Sequence, residues 1–184
     1  DDLWMPKKLE EQLRYFEDVK VGICITNTEF FSQKHSKVIY RESPPVGCVT
    51  DELLKNYFVS LETVMLRSSS ISCLEYAFDP EFSHIADFDL IVRTSTKFKL
   101  AYASQVLAKW RVHEASETWT NKKKFVLEKK RWLLKNRNKS LFAPYQDALN
   151  ELWGKNEIEW AQFLLSSGKR NRARQILGKN RNNK

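Results

Sequence analysis

Hydrophobic and polar positions change their rhythm several times along this chain. In "MPKKLEEQLRYF" at 5–16, Leu9, Leu13 and Phe16 fall at i, i+4 and i+7 behind Pro6. That spacing predicts a short amphipathic helix. "VKVGICIT" alternates Val19, Val21, Ile23 and Ile25 with small or polar residues, the period of a strand. "SKVIYRE" is a second strand segment, closed by the turn signal "SPPVG" at 43–47. "TDELLKNYF" predicts a helix capped by Thr50, and "VSLETVMLR" a strand interrupted at Glu62 and Thr63. "SSSISCLEY" reads as a helical turn before the loop "AFDPEFSHIA". Residues 87–96 predict a helix with Asp87 as its N-cap, and "FKLAYA" and "VLAKWRVH" two further strands.

Past residue 115 the strand signals stop. "SETWTNKKKFVLEKKRWLLKNRNK" has no Gly or Pro, and apolar residues recur seven apart (Phe125/Trp132, Val126/Leu133, Leu127/Leu134). The pattern is one long basic amphipathic helix. Residues 145–178 predict two or three shorter helices, broken near Gly154 and Gly168. Strands and helices thus alternate to about residue 113 and give way to a helical extension, which places the chain in the α/β class.

Composition narrows the picture. At 184 residues, 42% hydrophobic and 12% aromatic, the chain suits one folded domain with an appendage, not a disordered segment. Cys24, Cys48 and Cys73 are odd in number and widely spaced, which argues against a disulfide framework or zinc site and fits a reducing compartment. No apolar run reaches membrane-spanning length, and the opening residues lack a secretory-signal pattern. The net charge of +8 is unevenly spread: residues 1–120 carry 14 Lys/Arg against 18 Asp/Glu, residues 121–184 carry 17 against 5. An anionic partner would therefore meet the tail, unless the charge is only a solvated face. No Walker loop, GxGxxG or HExxH occurs, and His35, His84 and His113 are not spaced as a ligand cluster.

Three blocks bear on chemistry. They are "DDLWMPKKLEEQ" at 1–12, "FDPEFSHIADFDLIVRTS" at 78–95 and "VLAKWRVHEASET" at 106–118, with "SLETVMLRSSS" at 60–70 between the first and the second. In this order and spacing they resemble the family 2 glycosyltransferases, inverting nucleotide-sugar enzymes of the GT-A fold. The first is similar to the family's D-x-D-D stretch with its following aromatic, Pro and "kLe.Q" helix, the second to its "fde.f...eDydL.lR" block, and the third to its "L..yR.H..s.t" block. The resemblance covers residues 1–118 and implies the back half of a GT-A domain, a mixed sheet with flanking helices. The nucleotide-binding half would lie before residue 1, and a basic helical extension would occupy 119–184. On this expectation the isolated chain is inactive and binds no nucleotide-sugar tightly.

The resemblance carries over residue by residue. Asp1 matches the second metal-motif aspartate, a ligand for a divalent Mn or Mg ion that bridges the donor diphosphate. Asp2, beside it, reads as a helix cap. Asp87 matches the catalytic base, which takes the proton of the attacking hydroxyl; by itself its position is equally that of a helix cap, and both roles are compatible. Asp89 is expected to be structural, turned to the helix dipole or to Arg93. Glu62, Arg111 and His113 are expected contacts for the donor diphosphate or the acceptor, although Arg111 also suits a structural pairing with Asp87 or Asp89. One departure stands out: Ala86 occupies the position where the family has Glu before its base.

The implied function is metal-assisted, inverting transfer of a sugar from a nucleotide-sugar donor to a hydroxyl acceptor, in polysaccharide or glycoconjugate synthesis. The acceptor would be a saccharide or a lipid-linked molecule. The location would be cytoplasmic, with peripheral contact to an anionic membrane through Lys122, Lys123, Lys124, Lys129, Lys130 and Arg131. Two other readings stay open. Ala86 fits a non-catalytic GT-A-like binding protein, and the basic tail with Phe125, Trp132 and Trp153 fits a nucleic-acid-binding module, though no nucleic-acid motif accompanies it.

Overall fold

The computed structural model describes residues 2–32, 35–113 and 120–181. Within them a mixed five-stranded sheet is flanked by helices. The sheet is built on one long parallel pair, β2 (Val21–Phe31) and β5 (Lys99–Arg111). Two-residue β1 (Leu3–Trp4) pairs antiparallel with the far end of β5, Leu3 opposite Lys109. On its other edge β2 pairs antiparallel with β3 (Ser36–Val38) and with β4 (Met65–Leu66). Val21 to Thr28 are all buried, as a strand covered on both faces requires.

The two strands expected at "FKLAYA" and "VLAKWRVH" are one. The polar pair Ser104–Gln105, which reads as a break, is a bulge: the register steps from Thr26↔Ala103 to Asn27↔Val106, and both residues project into solvent. "VSLETVMLR" is a 3-10 turn, Leu61–Thr63, followed by the short β4. Helix α1 (Lys8–Leu13) continues as a 3-10 turn to Glu17, but its face is turned from the predicted one. Leu9 and Leu13 are 49% and 60% exposed, while Lys8 and Gln12 are buried. The reason is a polar clasp. Gln12 donates to the carbonyls of Cys24 (2.8 Å) and Thr63 (2.9 Å), and Lys8 donates to the Gln12 amide oxygen (2.7 Å).

Helix α2 (Thr50–Lys55) begins at Thr50 itself, whose hydroxyl lies 3.0 Å from that of Ser95 in place of capping the helix. After α3 (Ser68–Ser72) and a long loop comes α4 (Ala86–Ser95), buried along most of its length against β2. The extension forms α5 (Lys122–Asn136), α6 (Gln146–Ser166) and α7 (Arg170–Arg181). Helix α6 runs straight through Gly154; the break comes at Gly168, whose φ of +75° suits glycine alone. Trp132, Leu133, Leu149 and Leu152 of the extension share one buried cluster with Ile23, Ile25, Leu53 and Ile91. The apolar stripe of the basic helix therefore faces the sheet's core.

Candidate functional site

Two carboxylates two residues apart on α4 have opposite surroundings. Asp89 is buried and bound on all sides. It accepts from Arg93 Nε (3.0 Å) and NH2 (2.6 Å) and from the Trp132 indole N–H (2.8 Å). Arg93 spends its remaining donors on the carbonyls of Tyr76 (2.8 Å) and Ala77 (2.9 Å). Asp89 is structural, as the spacing predicts.

Asp87 is half-buried and faces open space. One hydrogen bond from another side chain reaches it, from the Tyr57 hydroxyl at 3.1 Å. Burial lifts its proton affinity above the ordinary aspartate value, against the pull of the Phe88 backbone N–H and the Tyr57 hydroxyl. Burial, with the Asp87 charge beside it, also pushes Tyr57 well above the ordinary tyrosine range, so its hydroxyl keeps the proton it donates.

Asp87 is not the N-cap of α4. The helix starts at Ala86 with no side-chain cap from its own first turn. Its end is closed by Glu128, one helix away on α5. Glu128 Oε2 accepts the backbone N–H groups of Ser83 (3.1 Å), His84 (2.8 Å) and Ile85 (3.2 Å), and Oε1 meets His84 Nδ1 at 3.0 Å. A carboxylate at a helix N-terminus satisfies orphan donors and opposes the helix dipole. Glu128 thus fixes the segment leading into α4, and the carboxylate of Asp87, beside the Phe88 backbone N–H and the Tyr57 hydroxyl, borders the space in front of it.

That space is a cleft of about 500 Å³, lined by Asp2, Glu62, Ala86, Asp87 and Trp110 among others. Glu62 enters from the turn before β4 and is fixed there. It accepts hydroxyl donors from Thr28 (2.7 Å) and Ser60 (2.8 Å), while its carbonyl takes the Trp4 indole N–H (2.8 Å). Asp2 accepts the Arg111 backbone N–H at 3.0 Å, which ties the start of the chain to the end of β5. The cleft therefore gathers three of the sequence blocks.

Arg111 and His113 do not line this cleft; Trp110 does. Successive residues of a strand face opposite sides, so Trp110 and Arg111 cannot both face the cleft. The Arg111 guanidinium lies 4.6 Å over the Phe31 ring. Asp1 lies outside the described residues. Among the described residues no group of three His, Cys, Asp or Glu side chains is arranged to hold a metal ion. Glu62 already has its oxygens taken by hydroxyls, and Asp2 alone is a weak anchor. Asp2 and Glu62 by themselves do not form a metal cage.

The basic helix is partly neutralised. Lys129 pairs with Glu159 (3.0 Å), Lys130 with Glu157 (2.8 Å), and Lys135 with Asp79 (2.7 Å) and Glu81. Lys122, Lys123, Lys124 and Arg131 are exposed. No helix among the described residues is long and apolar enough to cross a membrane. Sequence reasoning missed Tyr57, His84 and Glu128 as parts of the site. Glu128 alone left a signal, as the one acid in the nine-cation run 122–139. No protein-family model and no curated protein matches this chain.

Proposed function

We propose that the protein transfers a sugar from a nucleotide-sugar to a hydroxyl acceptor, with Asp87 as general base. The observation that carries this reading is the position of Asp87. It is a half-buried carboxylate with raised proton affinity, facing a cleft shared with Asp2, Glu62 and Trp110. The sequence resemblance to family 2 glycosyltransferases supports the same assignment.

In the step proposed, the acceptor oxygen attacks the anomeric carbon and forms the new glycosidic bond. The bond to the diphosphate oxygen breaks, and its electron pair leaves with the nucleoside diphosphate. The acceptor's proton passes to Asp87. Tyr57 orients the carboxylate through its hydrogen bond, and Trp110 offers an apolar wall of the kind that packs on sugar rings. Attack from the face opposite the leaving group inverts the anomeric centre. The metal role expected of Asp1 remains part of the proposal, resting on the resemblance alone.

The test is to incubate the full-length protein with a panel of uridine, guanosine and thymidine diphosphate sugars, with Mn²⁺ or Mg²⁺. Nucleoside diphosphate release is measured, and the anomeric configuration of the product is read by NMR. Release with inversion supports the reading, and a retained configuration refutes it. Donor binding without release favours the non-catalytic reading, consistent with Ala86 in the cleft wall.

A further inference from the structure

Asp87 borders two cavities. Besides the cleft, it lines a second cavity of about 350 Å³ between α2, α4, α5 and α6. Both share His84, Asp87 and Phe125, so the carboxylate stands where they meet. A base in a displacement must touch the acceptor hydroxyl while the donor approaches that oxygen from the other side. Two cavities meeting at one carboxylate provide that arrangement. The cleft that holds Asp2 and Glu62 would take the donor, leaving the second cavity for the acceptor.

The lining of the second cavity indicates what it takes. Its walls are apolar where Leu53, Phe88 and Leu152 contribute, and polar where Tyr57, Asp87 and Asn156 do. Its three lysines carry little free charge. Lys55 pairs with Asp51, Lys129 with Glu159 (3.0 Å) and Lys155 with Glu151 (2.7 Å), so an anionic ligand gains little there. Two buried polar atoms on lining residues lack partners, His84 Nε2 and Asn156 Oδ1. Asn156 is 2% exposed, and the His84 side chain is 8% exposed. Buried polar atoms are seldom left unpaired. Asn156 Oδ1 is an acceptor, and His84 Nε2 accepts or donates according to which ring nitrogen carries the proton. A hydroxyl, which both donates and accepts, can partner either atom. The size lies at the lower end of small-molecule sites.

We propose that this cavity is the acceptor pocket, and that it takes an uncharged, hydroxyl-rich ring with one apolar face, a hexoside. The proposal rests on the assignment of Asp87 as base. It also makes the helical extension part of the site, because α5 and α6 supply two of the four helices that wall it.

The test is saturation-transfer NMR on the full-length chain, with methyl β-glucoside, methyl β-galactoside and methyl α-mannoside as probes at millimolar concentration. Asn156→Met fills the cavity and removes an unpaired polar atom, so its melting temperature should equal or exceed that of the parent. The expected result is transfer to at least one hexoside in the parent, and its loss in the folded Asn156→Met variant. Should that variant fail to fold, Leu152→Phe provides the same block. No transfer to any hexoside in the parent overturns the proposal, as does equal transfer in parent and folded variant. Those failures leave Asp87-dependent donor turnover standing. Hexoside binding without such turnover would instead refute the catalytic reading while the pocket stands.

Discussion

Replacing Asp89 with Asn keeps the shape of the side chain and removes its charge. Arg93 has a 6% exposed side chain and Asp89 a 1% exposed one, so the guanidinium would lose its one carboxylate partner in a site closed to water. The indole N–H of Trp132 still finds an amide oxygen, so the loss is almost wholly the stranded charge. Breaking one half of a buried pair costs about 3–5 kcal/mol, out of roughly 5–15 kcal/mol for a whole domain. In a chain of this length each kcal/mol moves the midpoint by about 2–4 °C, so the melt should fall by roughly 6–20 °C. Asp87→Asn is the control. Its carboxylate is disfavoured by burial and Tyr57 can donate to the amide oxygen, so stability should hold or rise. Equilibrium urea unfolding followed by circular dichroism measures both. An Asp89→Asn variant within about 1 kcal/mol of the parent would refute the assignment of structural and chemical roles. So would an Asp87→Asn variant that loses as much as Asp89→Asn.

Three more outcomes follow from the same geometry. Burial lowers the Lys8 pKa from 10.5 to about 8, against the pull of Cys24 and Glu62, so its charged form is disfavoured in the folded state. The unfolded chain then binds more protons between about pH 8 and 10.5, and stability should rise with pH across that window relative to Lys8→Met; a flat difference would contradict the burial. Burial also raises the Cys24 thiol to about 11, while Cys48 and Cys73 are exposed. An aromatic disulfide reagent at pH 8 should label those two at once and Cys24 only on denaturation; immediate labelling of all three would contradict the packing of β2. Because the apolar stripe of α5 is in the core, any membrane contact must be electrostatic. Binding should occur to anionic but not neutral vesicles, weaken with Lys122, Lys123 and Lys124→Glu, and fade as salt shortens the screening length. Stronger binding to duplex DNA would favour the nucleic-acid reading instead.

The elements visible in the sequence are those whose partners are local. The helix at 86–95 and the strand beginning at Val21 follow from periodicity, and Arg93 lies one turn from Asp89, within reach of a spacing argument. The features that were hidden depend on distant backbone. Leu9 and Leu13 promised an apolar face, but α1 turns Gln12 inward because the carbonyls of Cys24 and Thr63 need donors. Asp87 had the position of a cap, yet the helix begins at Ala86, and the segment leading into it is held by Glu128, more than forty residues on. Ser104 and Gln105 looked like a loop because a bulge and a turn share the same polar signature. Tyr57, which orients Asp87, stands in a helix-like segment with nothing nearby to mark it.

The most direct measurement compares turnover by the full-length protein and its Asp87→Asn variant on the nucleotide-sugar that the parent uses best. The account predicts a fall of about 10²–10⁴-fold in nucleoside diphosphate release, with an unfolding midpoint no lower than the parent's. Full turnover in a folded Asp87→Asn variant, or no turnover of any nucleotide-sugar by the parent, would contradict it.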